Sequence, residues 1–265
     1  MEEYRLLTRR IGAALISMLF ANFFLPVSAA APAQGKHGSN LSKPMNLWYQ
    51  LTANDQPMGW LHVTSTRARW HGQSAWKIGA VFDAIHPVTK KRVILNDTDY
   101  TDLNGTLLES NDTLTNPLGT DTASAIYKGR YINATINVPV IGSRVRVTQR
   151  SRVTLKPGIR LSPEYSRDIS PGDLHDGKQI ERWGYDVLAR KVHDVTLTVV
   201  GEMTEDLPGH PGADVWELSE VSEGSAISDL EWVNPAGVTV KMQVSIPGVP
   251  DIIATLTPHH SAPKR

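Results

Sequence analysis

The sequence predicts an all-β protein built on a large, curved antiparallel sheet or half-open barrel, with little helix. Apolar and polar residues alternate along the clearest segment, Val238–Ile246. Because successive side chains of a strand point to opposite faces, this strand has one dry face and one wet face. Such half-buried strands are typical of antiparallel sheets. Turn signals recur about every ten residues, as in β proteins, and no segment keeps a helical period over three turns.

The N-terminus has the layout of a secretory signal peptide, which we place at residues 1–29. Arginines precede an apolar run over residues 11–27, and small residues follow it. This pattern predicts cleavage near Ala29 and export to the periplasm or the medium of a bacterium. An uncleaved anchor helix is the alternative, although the run is slightly short for a full span of about 20 residues. After cleavage we expect no stable transmembrane segment, since no second run approaches that length.

Residues 30–44 are small, polar and proline-containing, which indicates a flexible linker. The β-rich domain is predicted to cover residues 45–257. It opens with the stretch WYQLTANDQPMGWLHV, Trp48–Val63. We interpret this stretch as a hairpin in which Asn54 to Gln56 turn and Gly59 and Trp60 begin the return strand.

Two further turns and one long connection organise the rest of the chain. Asn104-Gly105 is the strongest short hairpin signal, and Gly237 closes the Asn-Pro-Ala-Gly turn. Residues 155–178 are rich in Pro, Gly and Asp and predict a long crossover. It divides the β-rich domain into possible halves, 45–154 and 179–257, which form either one continuous domain or two similar units. Residues 258–265 are expected to be a solvated tail.

Composition excludes several classes of site. The chain contains no cysteine, so disulfides, thiolate metal sites and cysteine nucleophiles are ruled out. Its 27 basic and 27 acidic residues are intermixed, and no basic block predicts a nucleic-acid partner. We predict no cofactor and no metal.

Catalytic motifs are weak. No Gly-x-Ser-x-Gly elbow and no His-x-x-x-His pair occurs. Asp173, His175 and Glu181 form a polar cluster that could serve a hydrolase as an acid–base site. A solvated loop explains the same residues with fewer assumptions, so the sequence favours a protein that is not an enzyme.

Seven tryptophans lie mostly in predicted strands. Aromatic rings in this setting usually pack in a core. Alternatively, some of them line a cavity for an apolar ligand inside the curved sheet. Alternation alone does not separate a filled interior from a hollow one.

Several segments resemble a group of exported bacterial proteins. The residues that carry the resemblance are the opening Trp48, Gly59 and Trp60, the Asn104-Gly105 turn in DTDYTDLNGTLLESNDT, and Trp232 and Gly237 in LEWVNPAGVTVKMQVSIPGV. The order of these segments is similar to that of periplasmic β-rich proteins of unknown function, including the domain that precedes transglutaminase-like domains. The transglutaminase domain itself is absent. The resemblance implies a curved sheet like that of lipoprotein carriers, and it implies no catalysis.

These observations lead to two main functional hypotheses. The first is an exported, non-catalytic envelope protein that binds an apolar small molecule, such as a lipid, in the concave face of its sheet. The second is a protein-interaction scaffold that docks an envelope partner or enzyme through its sheet edges or outer face.

Overall fold

The computed structural model describes residues 44–140, 145–159, 161, 172, 174–188, 190–222 and 228–257. These residues form 14 strands of one antiparallel sheet, and no α-helix occurs among them, so the predicted fold class is confirmed. None of the described residues belongs to a helix long and apolar enough to cross a membrane. The strands are β1 (Met45–Ala53), β2 (Gln56–Trp70), β3 (Gln73–Ile85), β4 (Arg92–Thr101), β5 (Leu107–Asn116), β6 (Gly119–Lys128), β7 (Tyr131–Pro139), β8 (Arg146–Thr154), β9 (Gln179–Asp186), β10 (Lys191–Leu207), β11 (His210–Ser222), β12 (Ser228–Val233), β13 (Thr239–Ser245) and β14 (Ile252–Thr257).

The sheet is a meander in which nearly every strand pairs with its neighbours in the chain. Its spatial order runs from β8 back to β1, then from β14 back to β9. The pairing of β1 with β14 therefore joins the two halves of the chain into one sheet. The crossover predicted at residues 155–178 connects β8 with β9, which are the two edge strands of the described sheet.

The sheet is rolled so that its two ends meet. β6 and β9 are eleven places apart in the strand order, which would separate them by about 50 Å in a flat sheet. Instead, the rings of Tyr127 on β6 and Tyr185 on β9 pack edge to face with their centroids 6.2 Å apart. Tyr185 also packs in one apolar cluster with Val153 on β8. The curvature therefore brings the edge strands together without backbone pairing between them in the described residues.

The rolled ends overlap, because β9 is covered on both faces. Ile180 and its cross-strand partner Leu197 pack in one apolar cluster with Leu218. Tyr185 has the opposite orientation and packs in a second cluster with Ile132 and other residues of β5–β8. Leu155 and Leu161 of the crossover join the second cluster, so the crossover also packs against the sheet.

The remaining core lies at the centre of the concave face. Leu61, Phe82, Leu95, Met242 and Ile252 pack there in one cluster that spans β1–β5, β13 and β14 together with the turn after β13. Strict alternation places these side chains on one face of the sheet, as the sequence pattern predicted.

The first hairpin turns at the predicted Asn54-Asp55 position, but Gln56 already begins β2, so the turn is one residue shorter than predicted and the return strand starts before Gly59. Asn54 and Asp55 both have positive φ, 50° and 58°, as a two-residue type I′ turn requires. A β-bulge lies between Leu51 and Thr52, opposite Gly59. A Cβ atom at Gly59 would lie 2.2 Å from the carbonyl oxygen of Asp83, so only glycine allows β2 and β3 to approach this closely.

Candidate functional site

The polar cluster proposed for a hydrolase gains no support. His175 and Glu181 are both exposed, on the crossover and on β9, and Asp173 lies outside the described residues. The His175 ring is 3.3 Å from the carbonyl oxygen of Asp176, the next residue. Among the described residues, no group of three or more His, Asp or Glu side chains could hold a metal ion.

Trp48 and Trp60 lie on the outer face of the sheet, opposite to the core face of β1 and β2. The Trp48 ring stacks on His62 with centroids 3.6 Å apart and planes 6° from parallel. Trp60 is tilted against Trp48 at 5.2 Å, and His62 Nε2 lies 2.7 Å from Asn46 Oδ1. We call Trp48, Trp60 and His62 the outer aromatic array.

Other tryptophans are buried beneath cations. Trp232 is buried, and the Lys241 ammonium lies 4.6 Å from its ring centroid. The same ammonium forms an ion pair of 2.6 Å with Glu205. Trp76 is covered by the Arg67 guanidinium at 4.0 Å. Since these rings point to different faces and clusters, the described tryptophans do not line one common chamber.

The other residues that carry the sequence resemblance occupy turns. Gly105 and Gly237 have φ of 82° and 74°, and Asn104 is exposed beside Gly105. Their placement is structural, because a left-handed backbone conformation favours glycine.

The concave face carries an acidic cluster that the sequence analysis missed. Asp97 pairs across β4 and β5 with Asp112, and Asp99 pairs with Ser110. The Ser110 hydroxyl donates to Asp99 and lies 3.2 Å from the Tyr127 hydroxyl. These groups are on the same face as Leu95, and continuing the Val93–Leu95 alternation along β4 would have placed Asp97 and Asp99 inside.

Burial controls the protonation of this cluster. It raises the pKa of Asp99 to about 7, against the opposing effect of the bond from Ser110. Burial also raises the pKa of Asp112 to about 7, with repulsion from Asp99 and Asp186 adding to the effect. A hydrogen bond with Asp97 opposes that rise. Asp99 and Asp112 therefore titrate near neutral pH, well above the range of an exposed aspartate.

A second acidic cluster lies on β11 and β12. Glu220 pairs across the strands with Asp229, and both are buried, as is Glu231. Burial, followed by repulsion from Glu231, raises the pKa of Asp229 to about 8. In the segment SDLEWV, Ser228–Val233, the acidic Asp229 and Glu231 lie on the concave face, and the apolar Leu230 and Trp232 lie on the opposite face. A simple hydrophobicity pattern would predict the reverse.

The outer face of β6–β8 has the opposite charge. Its side chains alternate with buried ones such as Ala125 and Ile132, and no carboxylate is among them. They are mainly hydroxyls and amides together with Lys128, Arg146, Arg150 and Arg152. Arg152 stacks over Tyr131 at 3.9 Å. β8 is exposed along most of its length, and in the described part of the sheet it is an edge strand, so the basic face adjoins that edge.

Comparisons with known proteins identify a fold and no family. No protein-family model matches the chain, and no curated protein matches it significantly. The chain is similar in structure to a beta-barrel-like protein of the domain of unknown function DUF1849 from Brucella abortus, with a TM-score of 0.55 and 10% identity over 81% of this chain and 95% of that one. A DUF1089 family protein from Pseudomonas aeruginosa aligns over 84% of this chain and 98% of that one with 13% identity, but the TM-score of 0.34 is too low to support a relationship. The first similarity, taken with the sheet topology, establishes an all-β, beta-barrel-like fold.

Proposed function

We propose that the protein is an exported, non-catalytic scaffold of the bacterial envelope that docks an acidic protein partner on its outer face. The supporting observation is that its own side chains fill the concave face. Export is proposed from the predicted signal peptide at residues 1–29.

The filled concave face argues for a scaffold over a carrier. Leu51, Leu61, Ile78 and Ile252 on the concave face are fully inaccessible to solvent. A chamber wide enough for an acyl chain would leave the side chains that line it accessible. Leu155, Leu161 and Tyr185 instead cover the inner face of β5–β8. Partner binding therefore has to use the outer surface or an edge of the described sheet.

The proposed docking surface is the outer face around Lys128, Arg150 and Arg152. These cations lie on neighbouring strands with no outward carboxylate on β6–β8. A single-sign surface attracts a partner of opposite charge and increases its association rate. The β8 edge of the described sheet offers backbone groups beside it, to which an extended partner segment could add a strand.

Site-specific photo-crosslinking in the native envelope tests this proposal. A photoreactive residue at Thr148, which lies on β8 beside these cations, should yield one discrete adduct. The double change R150E/R152E should reduce that adduct at least about tenfold, because charge reversal on a complementary surface costs more than one kcal/mol. A K77E change is the control, since Lys77 is an exposed cation on β3. Equal crosslinking in the two variants would contradict the proposed surface.

Binding of an apolar small molecule or lipid is the second candidate. The observation that favours it is the continuous apolar cluster across β1–β5, β13 and β14. Because those side chains are already covered, a ligand would have to displace Leu188 or other residues that pack on them. Mass spectrometry of protein purified from envelopes separates the two proposals. Stoichiometric co-purified lipid would favour the carrier, and its absence together with a protein adduct would favour the scaffold.

A further inference from the structure

Exposed hydrophobic side chains concentrate at one end of the sheet. An antiparallel meander places every second turn at the same end, so the β3–β4, β5–β6 and β7–β8 turns are neighbours. The register confirms this, because Ile85 pairs with Arg92, Asn116 with Gly119 and Pro139 with Arg146. We call the following exposed residues of these turns the apolar-basic rim: Ile85, Val88, Lys90, Lys91, Leu118, Val140, Val145 and Arg146.

The apolar residues of the rim protrude singly. Val88 is 56% exposed and Val145 61%, and each turn is about 10 Å from the next, the width of two strands. The turns also contact one another. Arg146 Nη2 donates to the carbonyl oxygen of Thr120 at 2.8 Å, and a Cβ atom at Gly119 would lie 2.8 Å from Pro139.

The rim is positively charged. The described residues of the three turns, 85–92, 116–120, 139–140 and 145–147, include no Asp or Glu. Arg92 is neutralised by its ion pair with Asp83 on β3. Lys90 and Lys91 are exposed, and they leave a net positive charge beside the apolar side chains.

Hydrogen bonds to His86 fix the conformation of the β3–β4 turn, which exposes Val88. His86 is buried beneath it, and its Nδ1 accepts hydrogen bonds from the backbone N–H groups of Val88 and Thr89, at 3.1 and 3.2 Å. The Lys90 N–H donates to the His86 carbonyl oxygen at 2.9 Å. Several backbone groups of this turn therefore need no water, which lowers the cost of entering an apolar medium.

From this arrangement we infer that the apolar-basic rim binds the surface of an anionic phospholipid membrane. Apolar side chains that enter the interface while neighbouring cations meet anionic headgroups describe peripheral membrane binding. Protein interfaces, by contrast, are depleted in lysine and enriched in Trp, Tyr, Phe, Met and Arg. Of these enriched types the rim contains only Arg146, whereas it carries two lysines, Lys90 and Lys91. The inference is independent of the proposed docking surface, which lies farther along β6–β8.

Site-specific fluorescence on the full chain tests the inference. Because the chain has no cysteine, single V88C, L118C and V145C variants each carry one NBD label. Vesicles of phosphatidylcholine with about 30% phosphatidylglycerol, a content that supplies a negative surface, should raise and blue-shift the emission of all three labels. L103C is the matched control, since Leu103 is similarly exposed on the β4–β5 turn at the opposite end. Its label should not respond, even if the N-terminal segment also attaches the chain to vesicles.

Charge reversal tests the basic component. The K90E/K91E/R146E variant should need about 100-fold more anionic lipid for half of the label response, since each cation near such a surface contributes roughly fivefold. An R69E/K77E/K156E variant has the same net charge change away from the rim, and its response should stay within about threefold, because salt screens distant charges. Unchanged emission at the three turns, or an equal response at position 103, would overturn the inference. The inference would also be overturned if an acidic protein, but not the vesicles, raised and blue-shifted the emission of the labels.

Discussion

Asp229 is buried on β12, and neither of its carboxyl oxygens has a hydrogen-bond partner among the described residues. Ionising such a group removes its charge from water without compensation, which is costly. Burial and the neighbouring Glu231 accordingly raise the pKa of Asp229 to about 8. The folded state holds this proton over a pH range in which the unfolded chain releases it.

The D229N variant should be more stable than the wild type at neutral pH. A group whose pKa is raised on folding stabilises the protein fully below its unfolded pKa, near 3.8, and that stability is lost as the pH rises to about 8. Asparagine does not ionise, so D229N avoids this loss. We expect a gain of about 2–4 kcal/mol in the free energy of unfolding at pH 8.

Urea unfolding at pH 4 and pH 8 measures the effect. The difference between D229N and wild type should shrink to a fraction of a kcal/mol at pH 4, because the folded-state carboxyl is protonated there and the unfolded one is only about half ionised. D55N is the control, because Asp55 is exposed in the first turn and asparagine tolerates its positive φ. A D229N protein that is less stable at pH 8 would show that the ionised carboxylate has a stabilising partner.

Single residues show where sequence reasoning succeeds and where it does not. The Asn54-Asp55 turn follows from local chemistry, and the structure confirms it. The inward position of Asp97 follows from the alternation of β4. The inward position of Asp229 could not be expected from hydrophobicity, because the apolar Leu230 and Trp232 beside it lie on the other face. The face of the sheet on which Trp48 and Trp60 lie could not be predicted either, because it depends on the register of the first hairpin, which contains a β-bulge.

At the scale of elements, two loops share one construction. In each, the side-chain oxygen of the first residue, Asp102 or Asn234, accepts hydrogen bonds from the N–H groups two and four positions later, at 2.8–3.0 Å. The fourth residue, Gly105 or Gly237, has positive φ and donates to the carbonyl oxygen of the first. The Asn-Gly signal at 104–105 therefore marks a true hairpin, but Asp102 organises it.

Replacing the first residue of such a loop should weaken the hairpin. N234A removes the acceptor for Ala236 N and Val238 N, and it should lower the free energy of unfolding by about 1–2 kcal/mol. N234D keeps the oxygen and should cost less than about 0.5 kcal/mol. Denaturant unfolding of both variants measures the difference. N104A is the control because its backbone N–H, which an alanine keeps, makes the bond to Asp102. If N104A cost as much as N234A, the side-chain acceptor would not organise these loops.

The elements themselves were largely predictable. Alternation located the strands, and the Pro- and Gly-rich composition located the crossover at 155–178. β9 is the exception, because Ile180 lies on one face while Trp183 and Tyr185 lie on the other. Apolar residues on both faces indicate a strand covered on both sides, and this was the available signal that the end of the sheet is enclosed.

At the scale of the whole molecule, the overlap of the two sheet ends is the feature that strand patterns could not supply. Each pattern defines the faces of one strand, whereas the overlap depends on twist and curvature accumulated over 14 strands. Tyr185 lies at this overlap, packed against Tyr127. In the described residues, side-chain packing and not backbone hydrogen bonding joins the two ends. Its contribution to stability can therefore be removed by one substitution while the strand pairing stays intact.

Y185A should therefore open the overlap without disrupting the centre of the sheet. Loss of a buried aromatic side chain should lower the free energy of unfolding by about 3–4 kcal/mol. Hydrogen exchange should accelerate in β9 and in β6–β8 together, because each end covers the other, while β13 and β14 keep their protection. Y131A is the control, since Tyr131 is exposed on the outer face of β7 and stacks beneath Arg152, a contact worth about 0.5–1 kcal/mol. Faster exchange in β9 alone would mean that β6–β8 do not depend on the overlap, and the sheet would then be held in its rolled form by its twist and not by contact between its ends.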